Sequence, residues 1–232
     1  MRKHLRSVVG AVCLSGILTA CSAGSSACSG DSNIAVSGDA PNVVILLDKS
    51  DSMTDLAADV VSSFNQLLSS LPPRSSVSLY GFGSTDGLEI IIDQVPAEDV
   101  QPLSRADYRL GGQTPLYDAI GKTLTRFDSV SGHDKSGNTV LFIISDGAEN
   151  SSVDFSLDKT RRAIDERSSE GMTIRFIALG EDAADEAARL GIDVANRSAY
   201  TPDSDGVKEA FDSIGGSFSQ GGASERECSF VP

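Results

Sequence analysis

Three short segments of this 232-residue chain place oxygen-bearing side chains where they could hold a hard cation. The first is Asp48-Lys49-Ser50-Asp51-Ser52-Met53, in which Asp48, Ser50 and Ser52 alternate. The second is Gly111-Gly112-Gln113-Thr114-Pro115-Leu116, and the third is Ser145-Asp146-Gly147. Asp48, Ser50, Ser52, Thr114 and Asp146 together offer two carboxylates and three hydroxyls. A small divalent ion such as magnesium prefers six oxygen ligands in an octahedron and retains some of its water, so a hydroxyl-rich set suits it. Two of the segments directly follow apolar runs that read as buried strands, and the third opens a helix. In an open parallel sheet that places all three on the rim beyond the strands' carboxyl ends, where ligands bind.

Other chemistries find little support. Gly121-Lys122-Thr123 looks like the end of a phosphate-binding loop, but Leu116 stands where its first glycine belongs and the tripeptide lies in a helical pattern. The Gly81 to Gly87 segment fits neither the dinucleotide fingerprint nor a serine nucleophile elbow. An aspartate-based phosphotransferase would want a second acid at position 50, where serine stands. Of the two histidines, His4 falls in a leader segment and His133 in a polar loop. Lys49, Asp51 and Glu149 read as solvated surface charges. Asp51 would exchange roles with its neighbours only if the loop were read in the wrong register. Gly111 and Gly112 read as backbone freedom for the loop that carries Thr114. The expectation is a protein that is not an enzyme, with a hydrolase using metal-activated water as the lesser alternative.

The elements that must position these residues alternate in type. Asn42 to Asp48 contains the continuous run Val43-Val44-Ile45-Leu46-Leu47, the mark of a strand covered on both faces. Thr54 to Leu71 reads as an amphipathic helix stopped by Pro72-Pro73. Ser76 to Phe82 and Leu88 to Asp93 read as an antiparallel hairpin. A helix over Pro115 to Val130, a buried strand over Thr139 to Ser145, a helix over Leu157 to Glu170 and a buried strand over Thr173 to Leu179 follow. Then come a short helix over Ala183 to Leu190, a weak strand around Arg197 to Tyr200 and a last helix over Asp205 to Ile214. This order predicts an α/β fold: a doubly wound, mostly parallel sheet with helices on both faces and one antiparallel edge strand.

Residues 1–20 read as a signal peptide: Arg2, Lys3, His4 and Arg6 precede an apolar run of about eleven residues, short of the ~20 that a spanning helix needs. The run ends in Leu18-Thr19-Ala20-Cys21, which resembles the bacterial lipobox, where cleavage precedes a cysteine that then carries lipid. An ordinary signal peptide with an incidental cysteine is the alternative. Residues 21–41, rich in Ser, Gly, Ala and Asp, read as a flexible tether from a lipidated Cys21. Without the leader, 16 Lys and Arg face 33 Asp and Glu, a net charge of about −17. That balance, with no basic run, argues against nucleic acid as a partner.

In the order and spacing of Asp48, Ser50, Ser52, Thr114 and Asp146, the chain resembles the von Willebrand factor type A (VWA) family with its metal-ion-dependent adhesion site, the MIDAS. The likeness extends from residue 42 to about 215 and implies a VWA domain over 42–220 with a C-terminal tail at 221–232. It implies that Ser50, Ser52 and, in the ligand-competent state, Thr114 bind the ion directly. Asp48 and Asp146 would hold bound waters or act from behind them. The ion is expected to be Mg2+, with Mn2+ or Ca2+ as alternatives. Its open position would take an Asp or Glu of a partner protein. Family members often have neighbouring chain ends bridged by a disulfide, so the likeness implies a Cys28–Cys228 bond, two free thiols being the alternative. The expected whole is a bacterial cell-envelope lipoprotein on a periplasmic or extracellular face, touching the membrane only through its anchor. A structural envelope protein that does not use its metal is the remaining alternative.

Overall fold

The computed structural model describes residues 40–83, 87–129 and 138–218. The signal peptide, most of the tether with Cys21 and Cys28, His133, and the tail with Cys228 lie outside the described residues. The described chain forms six strands: β1 (Asn42–Asp48), β2 (Ser76–Phe82), β3 (Glu89–Pro96), β4 (Thr139–Ser145), β5 (Thr173–Leu179) and β6 (Arg197–Tyr200). Five α-helices are interleaved with them: α1 (Ala57–Leu68), α2 (Leu116–Ser129), α3 (Leu157–Ser169), α4 (Glu181–Arg189) and α5 (Ser204–Ser217). They make one sheet in the order β3-β2-β1-β4-β5-β6. All neighbours are parallel except β3, which runs antiparallel to β2 at one edge. This is the expected doubly wound fold.

The continuous apolar run of β1 follows from its place in the middle. Val43, Ile45 and Leu47 point into a core built with α1 and α5, among Val60, Phe64, Phe211 and Ile214. Val44 and Leu46 point the other way, into a core built with α2, α3 and α4, among Ile120, Leu124, Ile164 and Ala187. Successive side chains of a strand face opposite sides, so only a strand buried on both faces has every position apolar. The chain departs from β1 to one side through α1 and β2, and β4 returns on the other side. The strand order therefore reverses between β1 and β4, and a crevice opens beyond their carboxyl ends.

Several boundaries differ from expectation for local reasons. The helix expected from Thr54 begins as a 3-10 turn over Asp51–Thr54, and α1 proper starts at Ala57. β3 runs three residues further than the expected Asp93, to Pro96, through irregular pairing with β2 and with Gln94 at φ 53°. α4 starts at Glu181, two residues early, capped only by the backbone of Gly180. α5 continues past Ile214 through Gly215 and Gly216 to Ser217. A Cβ on Gly215 would stand 2.4 Å from the Ser70 hydroxyl, so that glycine permits close contact with the end of α1 instead of ending the helix.

A double-sided core predicts a sharp contrast between central and edge positions. Phe64→Ala, in a fully buried site, should cost about 3–5 kcal/mol by chemical denaturation. Ile90→Ser, at a β3 site 45% exposed, should stay within about 0.5 kcal/mol of the parent protein.

Candidate metal centre

The crevice between β1 and β4 holds the two aspartates. Asp48, the last residue of β1, is fully buried. Its Oδ1 accepts the Ser50 amide at 2.8 Å and its Oδ2 accepts the Ser145 hydroxyl at 2.5 Å. The buried Tyr108 hydroxyl donates to the Asp48 carbonyl, fixing the strand end from the far side of the loop. The chain then turns so that Ser50 Oγ lies 3.0 Å from Ser52 Oγ, and Ser52 Oγ donates to Asp146 Oδ1 at 2.8 Å. Asp48, Ser50, Ser52 and Asp146 thus form one connected cluster. Asp51, between the serines, is exposed, and its carboxylate is not part of this cluster.

Thr114 reaches the same crevice from the loop before α2. It is 3% exposed, and its Oγ1 would lie 3.6 Å from a Cβ placed on Gly147, the residue after Asp146. Two glycines bring it there. Gly111 donates its amide to the Lys49 carbonyl at 2.8 Å, and the Gly112 carbonyl accepts the Asp51 amide at 3.1 Å. Gly112 does so at φ 90°, a conformation that favours glycine.

The electrostatics are unbalanced. Burial pushes the Asp48 carboxyl up to about 6, with the charge of Asp146 adding to the effect and the hydrogen bonds from Ser145 and Ser50 opposing it. Burial also raises Asp146, against the hydrogen bond from Ser52. Among the described residues, no lysine or arginine pairs with either carboxylate. Two desolvated acids without a counter-charge are costly, and a divalent cation would relieve them. The hydroxyls fit the same ion. Neighbouring ligands in an octahedron with bonds of about 2.0–2.1 Å are about 3.0 Å apart, which is the Ser50–Ser52 spacing. No group of three or more His, Cys, Asp or Glu converges among the described residues, so a softer or all-carboxylate site has no competing location there.

Two residues expected in solvent are structural. Lys49 is 6% exposed and its ammonium pairs with Glu89 on β3. Its stem crosses β2 at Gly81, where a Cβ would stand 2.3 Å from the Lys49 Cδ. The lysine is therefore a strut between the metal loop and the edge strand. Glu149 is likewise no free acid: it accepts the Tyr117 amide at 2.9 Å, the Ser151 amide at 2.7 Å and the Ser152 amide at 2.6 Å. It caps the first turn of α2, where helix amides lack partners of their own.

Sequence reading also missed a set of supporting groups. Asn150 Oδ1 accepts the Thr114 amide at 2.8 Å, while the Thr114 carbonyl accepts the Asn150 amide at 3.2 Å. Ser152 Oγ accepts the Asp118 amide at 2.9 Å, and the Asp118 carboxylate accepts the amides of Val153, Asp154 and Phe155 at 3.1, 2.8 and 2.7 Å. The only sequence signal was the density of cap-forming residues between Glu149 and Ser156, with nothing to say which helix they cap.

The family model of the von Willebrand factor type A domain matches residues 42–212. The chain belongs to the VWA family. Among solved structures similar to this VWA chain is a von Willebrand factor type A protein from Catenulispora acidiphila, at 21% identity and a TM-score of 0.54, covering 76% of this chain and 42% of that one. A second is proximal thread matrix protein 1 of the mussel byssus with a zinc-occupied MIDAS motif, at 14% identity and a TM-score of 0.57, covering 75% and 46%. A third is the pilus adhesin SpaC of Lactobacillus rhamnosus GG in an open conformation, at 14% identity and a TM-score of 0.59, covering 78% and 30%. The chain spans less than half the length of each of these three, and at such identities they establish the fold alone. No match was found among curated proteins.

The Asp48 shift gives this VWA domain a pH signature when metal is stripped from it. Its folded pKa of about 6 lies above the ordinary 3.8, so the fold favours the protonated form. That contribution is present below pH 4 and is lost as pH rises through 6, by up to about 3 kcal/mol. Asp48→Asn should therefore melt above the parent protein at pH 7 in chelator, and the gap should close as pH falls to 4. A gap that is the same at both pH values would show that Asp48 is not desolvated.

Proposed function

We propose that this chain is a lipid-anchored, extracytoplasmic protein-binding module whose working surface is a divalent metal centre at the carboxyl end of β1 and β4. Ser50, Ser52 and Thr114 supply hydroxyl ligands, and Asp48 and Asp146 hold bound water and neutralise charge from behind it. With neutral oxygens as its direct protein ligands, the ion would stay electrophilic and could take a carboxylate from a partner's Asp or Glu. The observation that carries this reading is the cluster itself: two desolvated carboxylates, joined through Ser52 to a second serine hydroxyl and lacking a described cation. The family match supports a metal-dependent interaction module, and the zinc-occupied MIDAS of the mussel protein supports a divalent ion. We take magnesium as the resident ion, with manganese or calcium as substitutes. Similarity to a pilus adhesin supports a place on a cell surface, and no described helix is long and apolar enough to cross a membrane.

Calorimetry with magnesium or manganese should show one site, abolished by Asp48→Ala or by Asp146→Ala. Capture of envelope proteins should fail in chelator and recover with magnesium. Thr114→Ala should keep the fold and part of the metal affinity while losing partner capture. Capture that persists in chelator would move the working surface elsewhere.

In the same reading residues 1–20 are removed, Cys21 carries the lipid, residues 21–41 form the tether, 42–220 form the domain and 221–232 the tail. Cys28 and Cys228 join across it. Closing a loop of about 200 residues would constrain the unfolded chain by about 4–5 kcal/mol in the chain-entropy model. Non-reducing peptide mapping of exported protein should recover one cross-linked peptide containing Cys28 and Cys228, and mass spectrometry should find an acylated Cys21. Two free thiols, or an unmodified Cys21, would remove the corresponding feature.

A further inference from the structure

A further carboxylate is buried away from the metal crevice, on the flank of the domain. Glu186 of α4 is 1% exposed. Its Oε1 accepts the hydroxyl of Tyr117, which stands in the first turn of α2, and its Oε2 accepts Arg189 Nη1 at 3.3 Å. The Arg189 carbonyl, at the end of α4, accepts Arg161 Nε of α3 at 2.5 Å. Ala183, Ala187 and Leu190 make the rest of the inner face of α4 apolar. An apolar side chain at position 186 would complete that face without the cost of taking a carboxylate out of water. What a hydrogen bond adds to packing is direction.

The direction in question is that of the turn carrying Thr114. Tyr117 follows it by three residues, and the segment between is stiff: Pro115 fixes one backbone angle, Leu116 is fully buried, and the Leu116 amide donates to the Thr114 carbonyl at 2.9 Å. The Tyr117 amide is held by Glu149, just as the Thr114 amide is held by the next residue, Asn150. Those bonds fix Thr114 relative to the loop after β4. The Tyr117–Glu186 bond does something different, because it ties the same turn to α4, a helix that belongs to neither metal-bearing loop. Burial of Leu116 anchors the turn to the core, but apolar contact alone leaves it free to pivot about that anchor.

We propose that Tyr117 and Glu186 are positioning residues of the metal centre, which set the direction of the first turn of α2 and, through it, the place of the Thr114 hydroxyl. This rests on the metal-centred reading above. Neither side chain touches the ion; each acts through the backbone that carries a ligand. A merely structural pair would need only to be buried with no polar group left unpaired, so two apolar side chains of similar size would replace it. A positioning pair needs the bond itself. Tyr117→Phe combined with Glu186→Leu separates the two roles, since it removes the bond and leaves neither an unpaired hydroxyl nor an unpaired acid.

The test measures magnesium affinity by calorimetry, melting in chelator, and the Thr114 methyl resonance of the full chain. Tyr117→Phe should weaken magnesium binding about tenfold, the scale found when a group that orients a metal ligand is lost. The double variant Tyr117→Phe, Glu186→Leu should melt above Tyr117→Phe alone and still show the tenfold loss. Glu186→Gln keeps an acceptor for the Tyr117 hydroxyl and should recover most of the affinity lost in Glu186→Leu. In a Thr114→Ala background, Tyr117→Phe should cause no further loss, because the two act on one ligand. The Thr114 methyl resonance should already move in metal-free Tyr117→Phe. Parent-like affinity in the double variant would overturn the proposal and leave the metal-centred reading intact. So would the same tenfold loss in the Thr114→Ala background, or an unmoved Thr114 resonance. A parent protein that binds no magnesium would instead overturn the metal-centred reading, and this proposal with it.

Discussion

The described structure turns on two carboxylates, Asp48 buried and Asp146 half-buried, without a described cation beside them. Asp48 ends a strand buried along its whole length, and Asp146 follows the equally buried strand next to it, at the place where the direction of winding reverses. Burial raises the pKa of both, so each negative charge has a standing cost that the serine hydroxyls and amides only partly offset. A fold selected for stability alone would place apolar or neutral groups there, because isolated buried charges are poor stabilisers. Retaining them makes sense when a cation is bound, and the charge imbalance then becomes binding free energy for that cation.

Such a centre needs its ligands held within a few tenths of an ångström by groups that do not touch the ion. Here the support is two-sided. The loop after β1 is held by Tyr108 beneath the Asp48 carbonyl, by the Lys49–Glu89 strut across β2, and by the glycine turn before Thr114. The loop after β4 is stitched to the first turn of α2 by Glu149, Asn150, Ser152 and Asp118. Thr114 and the segment that follows Asp146 therefore belong to one hydrogen-bonded body, while Ser50 and Ser52 belong to another. The contacts between them include the Ser52–Asp146 and Ser145–Asp48 hydrogen bonds, together with the turn at Gly111 and Gly112. Any displacement of Thr114 has to carry the loop after β4 with it or break the Thr114–Asn150 pair.

How much of this was legible in the sequence depended on how local each cause was. The bounds of β1, β4 and β5 agree with the apolar runs because a strand covered on both faces writes its length directly into composition. The alternation of strands and helices was enough for the sheet, and the five candidate site residues do gather at one crevice. Helix ends were less legible. Gly215 looks like a stop signal, yet its bare Cα is what lets α5 pass Ser70. Lys49 and Glu149 were misjudged because their partners are remote in sequence: Glu89 lies 40 residues from Lys49, and Tyr117 lies 32 from Glu149. A charged side chain carries no local mark of whether it will face water or a distant helix terminus.

The chain's acidity then acquires a role in selection. A net charge of −14 over the whole sequence repels an anionic partner at long range, but that field fades over about 8 Å at physiological salt. Direct coordination at a metal ion does not fade in the same way, because it acts only at contact. A partner segment carrying several acids would be opposed on approach and gain at one carboxylate only.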